Sequence, residues 1–331
     1  MAVHIGRREF ITLLGGGTGA WPIVAWAQQP AMPVIGYLYG GTSRGSTYLV
    51  DAFRKGLSEM GYLEGKNVTI EYRFTEGDSD RIPELAADLV RRRVALIATP
   101  LSTPAALAAK AATTKIPIIF GTASDPVQIG LVASLNRPGG NATGISNINV
   151  ELMPKRLELL HELLPRAVRF GVLVNPDSPM AESIIREVRV AAAAIDRQIE
   201  VFTARNNREI DTAFANLVQK GIDALLVGPD ALTDNRRVQV TTLAVYHRMP
   251  TIYAIRQFAE AGGLMSYGTS DTDLVRQIGI YAGRVLKGER PDELPVMRPT
   301  KFEFVINMQT ARTFGITVPP TLLAVADEVI E

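Results

Sequence analysis

Polar side chains follow two short apolar runs, residues 94–98 and 116–120, near the middle of the chain. Apolar runs of this length, bounded by Pro, Gly, Ser or Thr, are typical of buried parallel strands. The carboxyl ends of such strands lead into helix N-termini, whose free backbone N–H groups can hold a carboxylate or another anion. The candidate ligand-binding residues at these two strand ends are Thr99, Ser102, Thr103, Thr122, Ser124 and Asp125.

Three of these residues also have a purely structural interpretation. Ser102 or Thr103 could cap the helix that follows, although capping does not exclude ligand binding. Asp125 precedes a proline and therefore suits a helix N-cap, but a carboxylate beside the same strand ends can also hold an ammonium group. The sequence leaves both interpretations open.

Four further candidates end later predicted strands. Asn175 and Asp230 end strands in the second half of the chain, where they could equally be turn formers. Tyr253 and Tyr267 end two late strands, and a tyrosine in a cleft offers an apolar ring face together with a hydroxyl group. The alternative for each tyrosine is a place in the buried core.

No pattern in the sequence indicates catalysis or a metal site. His4, His161 and His247 are the histidines, and the last two lie in helical patterns. The chain has no cysteine, no H-E-x-x-H or G-x-S-x-G motif and no phosphate-binding P-loop. We therefore predict a protein without cofactor, metal or enzymatic activity. An α/β enzyme stays an alternative only because Asp125 and Asp230 are acids at strand ends.

The N-terminus has the order of an export signal. A twin-arginine pair at Arg7 and Arg8 precedes a mildly apolar stretch, and the small-residue site Ala25-Trp26-Ala27 follows. The alternative is an ordinary surface helix. Removal of residues 1–27 takes two arginines and one glutamate from 35 basic and 34 acidic residues, leaving 33 of each. We predict a periplasmic protein, processed near Ala27, and no nucleic-acid partner because no basic block occurs.

Strand and helix patterns alternate from Pro33 to the C-terminus, in two successive blocks. A chain of 331 residues exceeds what one hydrophobic core usually supports. We therefore predict an α/β fold with two doubly wound parallel-sheet lobes joined by a three-crossing hinge. The turn-rich residues 137–144 are interpreted as the approach to this hinge. The predicted lobes are residues 33–146 plus 266–296 and residues 147–265 plus 297–331, with the crossings near residues 145–149, 263–266 and 296–300.

Nine short motifs carry a family resemblance that covers nearly the whole mature chain. They are AADLVR (86–91), TPAALAAKAA (103–112), DPV (125–127), GLVASLNRPGGN (130–141), VNP (174–176), AGGLMSYG (261–268), GIYAGR (279–284), PTKFE (299–303) and ADEVIE (326–331). Together they resemble the ABC transporter substrate-binding proteins of the tryptophan/tyrosine-binding type. These are periplasmic binding proteins with the type I two-lobed fold.

The resemblance implies a monomeric protein that captures a small-molecule solute between its lobes and delivers it to an ABC permease in the inner membrane. The implied solute is an aromatic amino acid or a related carboxylate, which is bound without any chemical change. Thr103, Asp125, Asn175, Tyr253 and Tyr267 match the family pattern near the cleft. A sensory or regulatory ligand-binding module of the same fold is the alternative.

The chain departs from the family pattern at three places. Relatives often carry Gly-Gly where Leu101-Ser102 stands, an acid at the position of Ala254, and Ala-Asp-Pro in place of Pro229-Asp230-Ala231. An acid at Ala254 would lie beside Tyr253 as a partner for an ammonium group. Its absence keeps a carboxylated aromatic or another small organic solute open as the ligand.

Overall fold

The first of two β-sheets contains five parallel strands in the spatial order β2-β1-β3-β4-β5. The computed structural model describes residues 32–331, so the predicted export signal lies outside the described residues. The inner strands β3 and β4 are mostly apolar and are buried along their whole length, as expected for a parallel sheet covered on both faces. The strands are β1 (Val34–Tyr39), β2 (Thr69–Phe74), β3 (Leu96–Thr99), β4 (Ile118–Thr122) and β5 (Ala142–Ser146).

The second sheet contains seven strands in the order β12-β11-β10-β9-β8-β6-β7. All its neighbouring strands are parallel except β10 and β11, which are antiparallel. The strands are β6 (Arg169–Val174), β7 (Gln198–Thr203), β8 (Ala224–Val227), β9 (Thr251–Tyr253), β10 (Met265–Thr269), β11 (Phe302–Asn307) and β12 (Glu328–Ile330).

Twelve α-helices connect these strands within residues 32–331. They are α1 (Thr47–Glu59), α2 (Ile82–Arg91), α3 (Thr103–Ala112), α4 (Met153–Leu163), α5 (Ala181–Ala194), α6 (Asn207–Gln219), α7 (Ala231–Asn235), α8 (Arg237–Tyr246), α9 (Arg256–Glu260), α10 (Asp271–Leu286), α11 (Met308–Phe314) and α12 (Pro320–Val325). None of the helices in this part of the chain combines the length and the apolar character that a membrane span requires. The α/β architecture with two parallel-dominated sheets is the predicted type I periplasmic binding protein fold.

Local sequence features set several helix ends. Ser102, Asn206 and Ser270 are the N-caps of α3, α6 and α10, and each side-chain oxygen accepts a hydrogen bond from a backbone N–H three residues later. Gly315 ends α11 with a φ of 73°, a left-handed conformation that costs glycine little. The three N-cap residues each follow a strand closely, so these helices start near strand ends.

Helices cover both faces of the first sheet. On one face, Leu49 and Phe53 of α1 pack with Leu274 and Ile278 of α10. On the other face, α2 and α3 supply a separate buried cluster. The helix α10 therefore belongs to the first sheet, although it follows a strand of the second.

The helices α1 and α10 approach each other closely at two glycines. A Cβ at Gly56 would lie 1.9 Å from the carbonyl oxygen of Arg276, and one at Gly279 would lie 2.3 Å from that of Phe53. Because these contacts are with backbone atoms, no side chain can move aside to make room. Glycine allows the two helices to touch along their backbones.

The chain passes between the sheets three times. The first crossing follows β5 at residues 147–152, the second lies at Ser270 between β10 and α10, and the third runs from residue 287 to 301. We predicted the second crossing near residues 263–266 and placed residues 266–296 in the first lobe. The structure differs, because β10 pairs with β9 and β11 in the second sheet, and the crossing comes after this strand.

Two further features differ from the sequence prediction. Residues 142–144 of the segment interpreted as the approach to the hinge belong to β5, a full strand of the first sheet. The second sheet is not wholly parallel, because the start of β11 lies beside the end of β10. The N–H of Ser270 donates to the carbonyl of Lys301 at 3.2 Å, so the returning chain runs in the opposite direction.

Candidate ligand-binding site

The structure brings three of the predicted residues together at the carboxyl end of the first sheet. Thr122 ends β4, and its Oγ1 lies 2.7 Å from Oγ1 of Thr103 in the first turn of α3. The backbone N–H of Ser124 donates to the same Thr122 oxygen at 3.1 Å. These three residues form one small polar cluster that links β4 with α3.

The other three predicted residues at this end have separate places. Ser102 caps α3, with its Oγ 3.4 Å from the backbone nitrogen of Ala105. Thr99 is fully buried, and its Oγ1 has no hydrogen-bond partner within residues 32–331. Asp125 is exposed, and its Oδ1 accepts hydrogen bonds from two backbone N–H groups of the turn that follows, at 2.8 and 3.2 Å.

Asn175 and Asp230 meet at the carboxyl end of the second sheet. Nδ2 of Asn175 donates to Oδ1 of Asp230 at 3.1 Å, because β6 and β8 are neighbours. Oδ1 of Asp230 also accepts from the backbone N–H of Leu232 and so caps α7. Oδ1 of Asn175 accepts from the N–H of Asp177. Both side chains therefore act as turn formers.

The two tyrosines have core contacts. Tyr253 is fully buried in the hydrophobic core of the second sheet, with its ring stacked on Phe258 at 4.4 Å between centroids. This differs from the expected cleft position, because the ring turns toward the helices that cover the sheet. Tyr267 is partly buried, and its ring packs against Phe302 and Phe304 of the neighbouring strand.

A second group of polar residues, which the sequence analysis did not select, comes from both sheets. Tyr39 ends β1, and Tyr48 lies in the first turn of α1. Asp234 lies in α7, Arg237 begins α8, and Asp271 begins α10. We call these five residues the cleft group. All of them except Asp234 and Asp271 carry a group that can donate a hydrogen bond at neutral pH.

Electrostatic effects connect the two halves of the cleft group. Burial raises the pKa of the phenols of Tyr39 and Tyr48, and the charges of Asp271 and Asp234 raise it further. The positive charge of Arg237 acts on both phenols in the opposite direction. The residues from α7, α8 and α10 are therefore close enough to the tyrosines of the first sheet for their charges to be felt.

The two carboxyl groups have strongly perturbed acidities. Burial raises the pKa of Asp271 to about 7, with a further contribution from the charge of Glu303. Burial also raises the pKa of Asp234 well above its ordinary value, and Asp271 adds to this effect. Arg237 and Arg156 oppose the rise of the pKa at Asp234, whereas no cation of the described residues opposes the rise at Asp271. Asp271 is thus the carboxyl group with the least compensation.

The polar atoms of the cleft group have few partners in the protein. Among the described residues, neither carboxylate forms an ion pair or accepts a hydrogen bond, and neither tyrosine hydroxyl is hydrogen-bonded. The guanidinium of Arg237 donates to the backbone carbonyl of Asp234 at 3.3 Å. Polar groups that converge in this way without protein partners are typical of a ligand site. The carboxylates can accept from an ammonium group, and Arg237 can donate to a carboxylate.

One member of the cleft group, Tyr39, could have been predicted from the sequence. Tyr39 ends a predicted strand, and the same rule that selected residues after β3 and β4 would have selected it. Asp234 and Arg237 lie inside a stretch that reads as helix, and Asp271 lies beside a predicted helix start. A helical pattern does not tell which helix face meets the other sheet.

No cluster of three or more metal-ligating side chains occurs within residues 32–331.

Comparisons with known proteins agree on one family. The family model described as "ABC transporter substrate binding protein" matches residues 43–330. The chain is 31% identical over 265 residues to a "Tyrosine-binding protein" of Clostridioides difficile strain R20291. The matched region covers 80% of this chain and 75% of that protein.

Two solved structures are similar over most of the chain. One is an ABC domain from Streptococcus pneumoniae in complex with L-Trp, at 28% identity and a TM-score of 0.82. The other is a ligand-free, open substrate-binding protein with adhesive properties from Clostridium difficile, at 27% identity and a TM-score of 0.71. Each comparison covers 90% of this chain and 99% of the other.

Proposed function

The chain belongs to the ABC transporter substrate-binding protein family, and we propose that it captures an amine-bearing organic solute between its two sheets for an ABC permease. Its family and relatives are solute-binding proteins, so the protein is a binding protein and not an enzyme. The observation that carries the proposal is the convergence of polar side chains from both sheets in the cleft group, four of which have no hydrogen-bond partner within residues 32–331.

Four members of the cleft group have a specific role in this proposal. Asp271 accepts hydrogen bonds from the ammonium group of the solute, because no cation within residues 32–331 compensates its charge. Arg237 donates to a carboxylate of the solute, and the rings of Tyr39 and Tyr48 flank its apolar body. With Asp234 and Asp271 present, the site needs no acid at the position of Ala254.

The conformation of the chain supports ligand contact with both sheets. At nearly the same identity, the chain superposes better on the L-Trp complex, with a TM-score of 0.82, than on the ligand-free open protein, with 0.71. A ligand favours a closed arrangement only as far as it binds that arrangement more tightly than the open one. Side chains from both sheets give such differential binding.

Titration calorimetry with matched ligands tests the proposal. L-Tyrosine and L-tryptophan carry both an ammonium and a carboxylate group, tyramine and tryptamine lack the carboxylate, and the corresponding propionic acids lack the amine. We expect binding of at least one amine-bearing compound and none of the propionic acids. Binding of the acids alone would contradict the role of the carboxylates in the cleft group.

We also propose that the protein is exported to the periplasm and processed near Ala27. The twin-arginine pair and the small-residue site support this proposal. Cell fractionation of the chain with Arg7→Lys and Arg8→Lys tests it, and we expect the double variant to stay in the cytoplasm. Periplasmic accumulation of that variant would contradict a twin-arginine route.

A further inference from the structure

A single buried arginine contacts the first chain crossing and the strand that leads into the second. Arg156 of α4 is fully buried and is the largest such side chain in the described part of the chain. Its Nε donates to the carbonyl of Tyr267 at 2.6 Å, and its Nη1 donates to the carbonyl of Asn149 at 2.8 Å. Its Nη2 donates to Oδ1 of Asn149 at 3.0 Å. Arg156 thus connects the first crossing with the strand that leads into the second.

Asn149 extends this connection. Its Oδ1 also accepts from the backbone N–H of Thr269 at 3.1 Å, and its own N–H donates to Oδ1 of Asn147 at 2.6 Å. Thr269 is the last residue of β10, and Asp271 of the cleft group follows it by two positions. The place of Asp271 is therefore set by the same hydrogen bonds that hold the first crossing.

Arg156 makes these contacts without a carboxylate partner. Within residues 32–331 it forms no ion pair, and its hydrogen bonds go to carbonyl oxygens, the amide of Asn149 and the sulfur of Met153. Burial lowers the pKa of the guanidinium to about 9, so it is still protonated at neutral pH. A planar guanidinium has five N–H donors in fixed directions, which lets one side chain hold two backbone segments at once.

We propose that Arg156 is a positioning residue for the ligand site, which fixes the end of β10, and with it Asp271, against the crossing at residues 147–149. In the ligand-free protein, the same contacts limit the range of distances between the helices of the two sheets. The effect on ligand binding rests on the function proposed for the cleft group. The effect on the distances does not.

Pulsed electron paramagnetic resonance on the full chain tests this role. The chain has no cysteine, so spin labels at Leu107→Cys on α3 and Val190→Cys on α5 report one distance between the two sheets. Both positions are exposed. We expect a narrow distance distribution with Arg156 and a broader one with Arg156→Met. Arg156→Lys should restore part of the narrowing, because lysine keeps the charge but cannot hold both segments in one plane.

Two further variants keep the test decisive. Asn149→Ser removes the oxygen that Arg156 and Thr269 share, and it should broaden the distribution even if Arg156→Met does not fold. Arg166→Met changes an exposed arginine near the end of α4, and it should leave the distribution unchanged. A folded Arg156→Met or Asn149→Ser protein with the original narrow distribution would overturn the proposal, because a purely structural arginine would lower stability alone.

Affinity gives a second readout. For an amine-bearing compound that binds the original protein, we expect Arg156→Met to weaken binding roughly 2- to 30-fold, as for changes in coupled networks. Unchanged affinity together with a broadened distance distribution would mean that Arg156 holds the crossings but does not position Asp271, and it would overturn that part of the proposal. If no tested compound binds the original protein, the proposed solute class is wrong, whereas the distance measurement still decides the role of Arg156.

Discussion

Asp271 and Asp125 are both carboxylates that follow a strand, yet their surroundings differ. Asp125 is exposed and accepts hydrogen bonds from two backbone N–H groups of its own turn. Asp271 is partly buried and has no hydrogen-bond partner among the described residues. Asp125 was a predicted site residue and Asp271 was not. Both acids precede helical or turn patterns, so only the fold distinguishes an acid with hydrogen-bond donors from one without them.

Substitution of these two acids separates their roles. We expect Asp271→Asn to weaken binding of an amine-bearing solute by about 10- to 100-fold, because a hydrogen bond to a charged group contributes roughly 1.5–3 kcal/mol. Asp125→Asn should leave the affinity unchanged, since asparagine can form the same turn. Calorimetry with L-tyrosine or L-tryptophan measures both variants. A larger loss of affinity for Asp125→Asn than for Asp271→Asn would indicate that the ammonium group binds at Asp125, at the end of the first sheet.

The acidity of Asp271 predicts a change of thermal stability with pH. An ordinary aspartate has a pKa of about 3.9, and burial raises that of Asp271 to about 7. The folded protein therefore binds a proton here more tightly than the unfolded chain, so stability is greatest below pH 4 for this group and is lost as pH rises to 7. We expect Asp271→Asn to raise Tm relative to the original protein increasingly between pH 4 and 7.

Calorimetric melting of the ligand-free protein in that pH range measures the difference. A constant difference for Asp271→Asn would mean that the carboxyl group is solvated in the folded protein. Removal of the Asp271 charge also lowers the pKa of Asp234, and this change acts in the same direction.

Most secondary-structure elements follow from the sequence, and the exceptions have identifiable causes. The apolar runs and helix caps predict the alternation of strands and helices in both sheets. The strand β5 is hidden by the Pro-Gly-Gly turn that precedes it, and its own residues include a glycine and small polar side chains. The direction of β11 depends on where the returning chain meets β10, which no local pattern records.

The contact between α1 and α10 predicts an unusual response to alanine. Glycine-to-alanine changes inside a helix normally stabilise it by about 1 kcal/mol. A Cβ at Gly279 would instead lie 2.3 Å from the carbonyl oxygen of Phe53, so we expect Gly279→Ala to lower stability by about 1–3 kcal/mol. Urea unfolding measures the change.

Gly283 on the same helix gives a second test of this packing. A Cβ there would lie 2.4 Å from the Cβ of Met60 at the end of α1, and the backbone fixes the position of that atom. Gly283→Ala should therefore also lower stability. Unchanged stability in both variants would mean that α1 and α10 can separate without cost.

The described part of the molecule contains two sheets, three crossings and the proposed ligand site between the strand ends. If the cleft group binds the solute from both sides, saturation should make the particle more compact in solution. We expect a smaller radius of gyration by small-angle scattering when an amine-bearing solute saturates the original protein. Asp271→Asn at the same solute concentration should show a weaker change, and an unchanged radius in the saturated original protein would contradict closure.

The sequence predicts the two-sheet architecture well but not the site between the sheets. Family motifs and strand–helix alternation are local properties of the chain. The cleft group joins Tyr39 from the first strand with Asp271 from the tenth helix, so its existence depends on the relative arrangement of distant elements. The role proposed for Arg156 also depends on distant elements, because the helical pattern of α4 does not distinguish this arginine from the other charged residues of the helix.

The close packing of α10 on the first sheet has a consequence for synthesis of the chain on the ribosome. Buried residues of α10 and the segment after it complete a core whose other buried members lie before residue 146; they are Leu274, Val275, Ile278, Tyr281, Ala282 and Leu294. Proteins generally begin to fold from the N-terminus as they are made. The first sheet therefore has one apolar face covered only in part, by α1, until every strand of the second sheet except β11 and β12 has been translated. The first part of the molecule to be made is thus among the last to be finished.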